Sequence, residues 1–219
     1  MPVTPLGQRL AAAKTVRGTV LFADLRGYTT IAERLNPPAV VALLEEFFAV
    51  LADAIGAHGG TVFHSAGDSL MAGFGLSEAG AAPIRAAVEA SRHIISAFAP
   101  VSARWEHRHG VVTGVGAGVC VGDLVVAELG PAACRQRTLI GDTVNVAARL
   151  CQRARAGEVL LSMSGPLDPA LSKTMVALPA YTLRGREAPV RIYCVPARAR
   201  LVVEAAPPAC TALAAQPQP

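Results

Sequence analysis

Two aspartates stand where a carboxylate could hold a cation. Asp24 closes the apolar, β-rich run 17–23, and Asp68 sits in a Gly67-Asp68 turn between two short β runs, 61–64 and 70–74. A lone Asp at a turn is usually structural, closing an Asx turn or a cap. The surroundings of Asp24 add a second reading. Leu25-Arg26-Gly27-Tyr28-Thr29 leads into a helix, and backbone N–H groups at a helix start can hold phosphate oxygens. Arg26, Gly27, Tyr28 and Thr29 are therefore substrate-binding candidates. Carboxylates beside phosphates commonly hold Mg²⁺, which takes one or two of them and leaves its other positions to the substrate. Two such ions about 3.5–4 Å apart would activate an attacking oxygen and steady a triphosphate. Farther along, Asn145 and Arg149 are four apart in a segment opened by Gly141-Asp142-Thr143. That spacing puts both on one helix face, able to reach a single substrate, or to lie there as a solvated surface pair.

The elements that must position these residues follow from periodicity. The run 17–23 reads as a buried strand. Asn36-Pro37-Pro38 is a helix-start signal, and Val40, Leu43, Leu44, Phe47, Phe48, Leu51 and Ile55 recur at helical spacing until Gly59-Gly60. A hairpin turning at Gly67-Asp68 follows, then an Ala-rich helix over 79–98 and an exposed charged loop over 104–110. A second hairpin is expected from 117–121 and 124–129, turning at Gly122-Asp123, then a helix over 144–153 and strands at 159–162, 181–184 and 190–195. This order predicts an α+β fold with a ferredoxin-like, palm-like antiparallel sheet covered by helices on one face. Residues 1–16 read as a leader, 17–196 as one domain and 197–219 as a disordered Ala/Pro-rich tail.

Composition narrows the class. At 219 residues, 52% hydrophobic and 16% charged, the chain has enough apolar content for one globular core. No apolar run reaches the length of a membrane span, and Met1–Lys14 lacks the pattern of a signal peptide, so a cytoplasmic protein without a membrane partner is expected. Five scattered cysteines with no Cys-x-x-Cys read as reduced thiols. The net charge of +4, without a basic run, argues against a nucleic-acid partner.

Three segments taken together resemble the class III adenylate/guanylate cyclases. They are Phe22-Ala23-Asp24-Leu25-Arg26-Gly27-Tyr28-Thr29, then Gly67-Asp68-Ser69-Leu70-Met71-Ala72-Gly73-Phe74, and Gly141-Asp142-Thr143-Val144-Asn145-Val146-Ala147-Ala148-Arg149-Leu150. The resemblance implies a class III cyclase homology domain that cyclises a nucleoside triphosphate, ATP by default, with two Mg²⁺ or Mn²⁺ ions per site. Asp24 and Asp68 would be the metal aspartates, with the backbone carbonyl of Leu25 also on a metal. Asn145 would orient the ribose and Arg149 would neutralise charge growing on the phosphoryl oxygens. Arg184 stands where the family has a phosphate-binding Lys. The family builds its site between two catalytic domains, which implies a homodimer: one chain would supply Asp24, Asp68 and His64, the other Thr138, Asn145, Arg149 and Arg184. A sensor domain is not expected among the remaining residues of these 219.

The sequence departs from the family pattern in two places. His64 occupies the usual base-reading Lys position, paired with Thr138, so the choice among ATP, GTP and a pyrimidine triphosphate is open. An imidazole changes charge near neutrality where an ammonium does not, so contact of His64 with the base predicts pH-dependent selectivity. Gly118-Val119-Cys120-Val121-Gly122-Asp123 replaces the family's Gly-Val-His-Thr-Gly-Glu. These departures favour a rival reading, a degenerate cyclase domain that binds nucleotide or a partner without turnover. The intact Asp24, Asp68, Asn145 and Arg149 oppose it. A diguanylate cyclase lacks support because its Gly-Gly-Asp/Glu-Glu-Phe signature is missing.

Overall fold

The computed structural model describes residues 14–76, 83–131, 133–163, 165, 169–182 and 188–196. Alternate residues of its first strand, β1 (Lys14–Leu25), enter two different cores. Leu21, Ala23 and Leu25 are buried on one side, and Val20 is buried on the other. Successive strand residues point to opposite faces, so β1 lies inside a sheet that is covered on both sides. Among the described residues that sheet has the order β2-β3-β1-β4-β6-β8-β7, with β5 paired to β4. The other strands are β2 (Thr61–Ala66), β3 (Ser69–Phe74), β4 (Val115–Leu129), β5 (Gln136–Ile140), β6 (Glu158–Met163), β7 (Val176–Tyr181) and β8 (Val190–Pro196). Strands β4 and β6 run parallel; the other described pairs are antiparallel.

The α+β expectation holds, but the helices are not confined to one face. The short α1 (Tyr28–Arg34), α2 (Pro37–Ala57) and α3 (Pro83–His109) contribute Ile31, Leu43, Phe47, Leu51, Ile94 and Phe98 to the core on the Leu21 side. Helix α4 (Asp142–Arg153) packs Val146, Ala147 and Leu150 on the Val20 side. A one-turn helix, α5 (Pro169–Ser172), precedes β7. Helix α2 begins as its sequence signals: the Asn36 side chain accepts from Ala39 N–H at 3.0 Å, and Pro37 occupies the first helical position, where no N–H is needed.

Five expectations are corrected by the structure. The hairpin turning at Gly122-Asp123 does not exist. β4 runs straight through it, paired with β1 from Lys14↔Val126 to Leu25↔Val115. Gly122 serves close approach instead, since a Cβ there would lie 2.5 Å from Thr143 Oγ1. The true partner of the outer half of β4 is β5, from Val125↔Ile140 to Leu129↔Gln136. The expected charged loop over 104–110 is the end of α3. Trp105 is buried, its Nε1 donating to Glu46 at 3.2 Å, and the charges lie on the outward face. β7 (Val176–Tyr181) begins before the expected strand 181–184, of which residues 183–184 lie outside the described residues. β1 starts at Lys14, inside the segment read as leader; the rest of that segment and the tail 197–219 lie outside the described residues. Cys120, Cys134 and Cys151 are free thiols, whereas Cys194 is disulfide-bonded, against the reading of five reduced thiols.

Candidate active site

Pairing of β1 with β3 brings the two aspartates together. Asp24 faces Ser69 across the ladder, and Leu25 N–H donates to the Asp68 carbonyl at 3.1 Å, tying the end of β1 to the Gly67-Asp68 turn. Both residues are partly buried. Burial pushes the Asp24 carboxyl above the ordinary carboxylate range. The Arg26 guanidinium pulls it back down, and the charge of Asp68 pushes it up again. Two carboxylates that destabilise one another's charge, in a half-dry setting of hard oxygens, fit a divalent cation of the Mg²⁺ or Mn²⁺ kind. Among the described residues no cluster of three or more His, Cys, Asp or Glu forms a closed metal cage. Such a pair leaves coordination positions for a substrate. The side chain of Leu25 is buried in the core, so only its backbone could serve there.

The segment after Asp24 divides in two. Gly27 adopts a left-handed conformation (φ 78°) and opens α1, whose Ile31 N–H bonds back to Gly27 at 3.1 Å. The preceding N–H groups of the first turn have no intrahelical partner. Thr29 is exposed, and Tyr28 is half-buried against the α2/α3 core. Arg26 is placed differently from the expectation of a phosphate ligand. Its N–H donates to the Gly114 carbonyl at 2.8 Å, and its carbonyl accepts from Thr113 Oγ1 at 2.8 Å. Its side chain turns inward to Asp24 and α4. Nothing in the sequence pattern marks Thr113 or this inward turn.

Helix α4 carries Asn145 and Arg149. Val146, Ala147, Leu150 and Cys151 face the sheet and are buried, which leaves Asn145 exposed and Arg149 half-buried on the outward side. The helix lies very close to β4: a Cβ on Gly118 would meet Cys151 N at 2.2 Å and Ala147 O at 2.3 Å. This glycine fixes how near the sheet Asn145 and Arg149 can sit.

His64 is exposed on β2, an edge strand, beside an irregularity in the pairing between Val62 and His64. It lines a groove of about 550 Å³ together with Phe63, Ser65, Gln136 and Arg137. The Arg137 guanidinium lies over the Phe63 ring at 5.5 Å. Thr138 is half-buried on the same β5, opposite Ala127. His64 and the strand of Thr138 therefore border one groove within a single chain, against the expectation that they come from different chains. The sequence could not pair them because β5 was not recognised as a strand. Arg184 lies outside the described residues.

The family described as adenylate and guanylate cyclase catalytic domain matches residues 11–192. An uncharacterised protein of Mycobacterium tuberculosis is 32% identical over 177 residues, covering 79% of this chain and 32% of its own length. The chain spans about a third of the length of the first curated relatives it matches. Among solved structures, the guanylyl cyclase Cya2 superposes with a TM-score of 0.74 at 25% identity, covering 84% of this chain and 93% of its own. The adenylyl cyclase CyaB from P. aeruginosa gives 0.71 at 26%, covering 83% and 95%. The chain belongs to the adenylate and guanylate cyclase catalytic domain family.

Proposed function

We propose that this chain is an active nucleotidyl cyclase that converts a nucleoside triphosphate, ATP by default, to a 3′,5′-cyclic monophosphate and pyrophosphate. The observation that carries this reading is the junction of Asp24 and Asp68, joined through Leu25 N–H at the end of β1 and β3. When bound there, Mg²⁺ or Mn²⁺ would supply acidity to the ribose 3′-hydroxyl and charge neutralisation to the triphosphate. Asp24 and Asp68, with the Leu25 carbonyl, would hold those ions. The backbone at Gly27–Thr29 would receive phosphate oxygens. Asn145 would orient the ribose so that its 3′-oxygen lies in line with the α-phosphorus. Arg149 would stabilise charge growing on the phosphoryl oxygens through paired hydrogen bonds.

A homodimer with two shared sites fits the placement of α4. Asn145 is six residues from Cys151, whose carbonyl is linked to Asp24 through Arg26. That is about 9 Å along the helix axis. Asn145 also faces away from the sheet. A second copy would close this outward face over the aspartates of the first. The groove beside His64 would receive the base, with His64, Thr138 and the neighbouring Gln136 and Arg137 deciding between ATP and GTP. The similar solved structures include both an adenylyl and a guanylyl cyclase, and the choice of base is read directly by assay. The test is to incubate the purified protein separately with ATP, GTP, CTP and UTP and Mg²⁺ or Mn²⁺, and to assay cyclic products by mass spectrometry. One cyclic product, absent in Asp24→Ala, is expected. No product from any of the four, with the protein folded, would leave a nucleotide-binding domain without turnover.

A further inference from the structure

The half-buried Arg26 side chain lies where Asp24 meets the end of α4. One terminal nitrogen, Nη2, lies 3.1 Å from Asp24 Oδ1, 3.0 Å from the Cys151 carbonyl and 3.5 Å from Cys151 Sγ. Its Nε is buried and has no hydrogen-bond partner, so the guanidinium is held from that one end. The sheet makes room for it: a Cβ on Gly116 would meet Nε at 2.6 Å. The backbone of Arg26 is pinned on both sides by Gly114 and Thr113. Cys151 O also accepts from Ala154 N–H at 3.1 Å in the last turn of α4. A cation at that end is favoured by the helix dipole. One nitrogen thus joins a carboxylate of one proposed site to the helix that carries Asn145 and Arg149 toward the other.

We propose that Arg26 is a positioning residue that couples cation capture at Asp24 to the last turn of α4. The inference rests on the cyclase reading above, and it replaces the expected phosphate contact of Arg26. In the metal-free protein the guanidinium divides its hydrogen bonds between Asp24 and Cys151. A divalent cation at Asp24 competes for the same carboxylate and leaves Arg26 to the Cys151 carbonyl, which tightens the end of α4. In a homodimer with shared sites, the half-site that takes up the cation would then order the Asn145/Arg149 helix serving its neighbour. The competition has a direct consequence: removing the guanidinium should favour cation binding while disfavouring turnover.

The experiment titrates the intact protein with Mn²⁺, reading free Mn²⁺ by electron paramagnetic resonance and exchange of the 150–154 amides by hydrogen–deuterium exchange. In the wild type Mn²⁺ should slow exchange in that turn. Arg26→Met should bind Mn²⁺ about two- to fivefold tighter, the size of a partly exposed ion pair removed, show no change in exchange on adding Mn²⁺, and have a lower kcat. Arg26→Lys keeps the charge and should hold wild-type Mn²⁺ affinity, which separates the effect from a merely misfolded Met variant. Equal Mn²⁺ affinity in wild type and Arg26→Met, with the same response in α4, would overturn the proposal and leave the cyclase reading standing. Mn²⁺ binding that survives Asp24→Asn would overturn both, because the cation would then not sit at Asp24.

Discussion

Replacing Gly118 by Ala tests whether the distance between α4 and β4 sets the activity. The added Cβ would stand 2.2 Å from Cys151 N and 2.3 Å from Ala147 O. Ordinary contacts begin at about 3.5 Å. Both obstructing atoms are helix backbone, so no side-chain rotation relieves them, and α4 must lift from the sheet by about 1 Å or more. Asn145 and Arg149 move with it, and a displacement of that size costs about 10²-fold in rate. Overpacking of this kind destabilises by about 1–3 kcal/mol. For a domain of this length that lowers Tm by about 2–12 °C. Gly56→Ala is the matched control. Gly56 lies in the last turns of α2 with nothing within 4 Å of its added Cβ, and it should gain about 0.5–1 kcal/mol with no change in rate. Thermal unfolding and initial rates of cyclic product on both variants make the comparison. A Gly118→Ala protein with wild-type Tm and rate would refute the packing argument.

Other outcomes follow from single residues. Burial raises the Asp24 carboxyl above its ordinary value. Its ionisation therefore opposes folding, a penalty absent at acid pH that sets in as pH rises past the unfolded value and persists at neutrality. Asp24→Asn in metal-free buffer should match or exceed the wild-type Tm at pH 7, lose that advantage at acid pH, and make no product; a lower Tm at pH 7 would mean that the ion pair with Arg26 outweighs burial. Burial likewise pushes the Cys151 thiol up to about 12, so the stability contributed by its neutral form is intact below about pH 9 and is lost as pH rises toward 12. Iodoacetamide at pH 8 should modify exposed Cys134 and spare Cys120 and Cys151 until the protein unfolds; early labelling of Cys151 would contradict its packing under Gly116. Asn36→Ala removes the cap that accepts from Ala39 N–H and should cost about 1 kcal/mol in chemical denaturation without changing kcat.

How much was legible in the sequence depended on whether a residue's role was local. The caps, the Gly67-Asp68 hairpin and the outward face of α4 follow from short-range rules, and their residues announce them. Gly122 was misread because a glycine beside an Asp looks like a turn, whereas its purpose is to admit Thr143 from an element about 20 residues away. β5 escaped notice because Gln136-Arg137-Thr138 carries little apolar signal, and pairing with β4 makes it a strand. Missing β5 hid the neighbourhood of His64 and Thr138. Arg26 looked like part of a phosphate loop, and only the tertiary fold turns its side chain toward Cys151. The two aspartates proposed to hold metal were readable as motifs, but the side chains around them, such as Arg26, were not.

Mixing two inactive variants shows whether two copies of this chain share each proposed cyclase site. Asp24→Ala removes a proposed metal carboxylate, and Arg149→Ala removes the guanidinium expected from the other chain. Each variant alone should make cyclic nucleotide at least about 10²-fold more slowly than wild type. Random reassociation makes half of the dimers mixed, each with one intact site, so the mixture should recover about a quarter of wild-type activity. Recovery near that level is expected for shared sites. A mixture as inactive as its components, with heterodimers demonstrated by mass spectrometry, would contradict it.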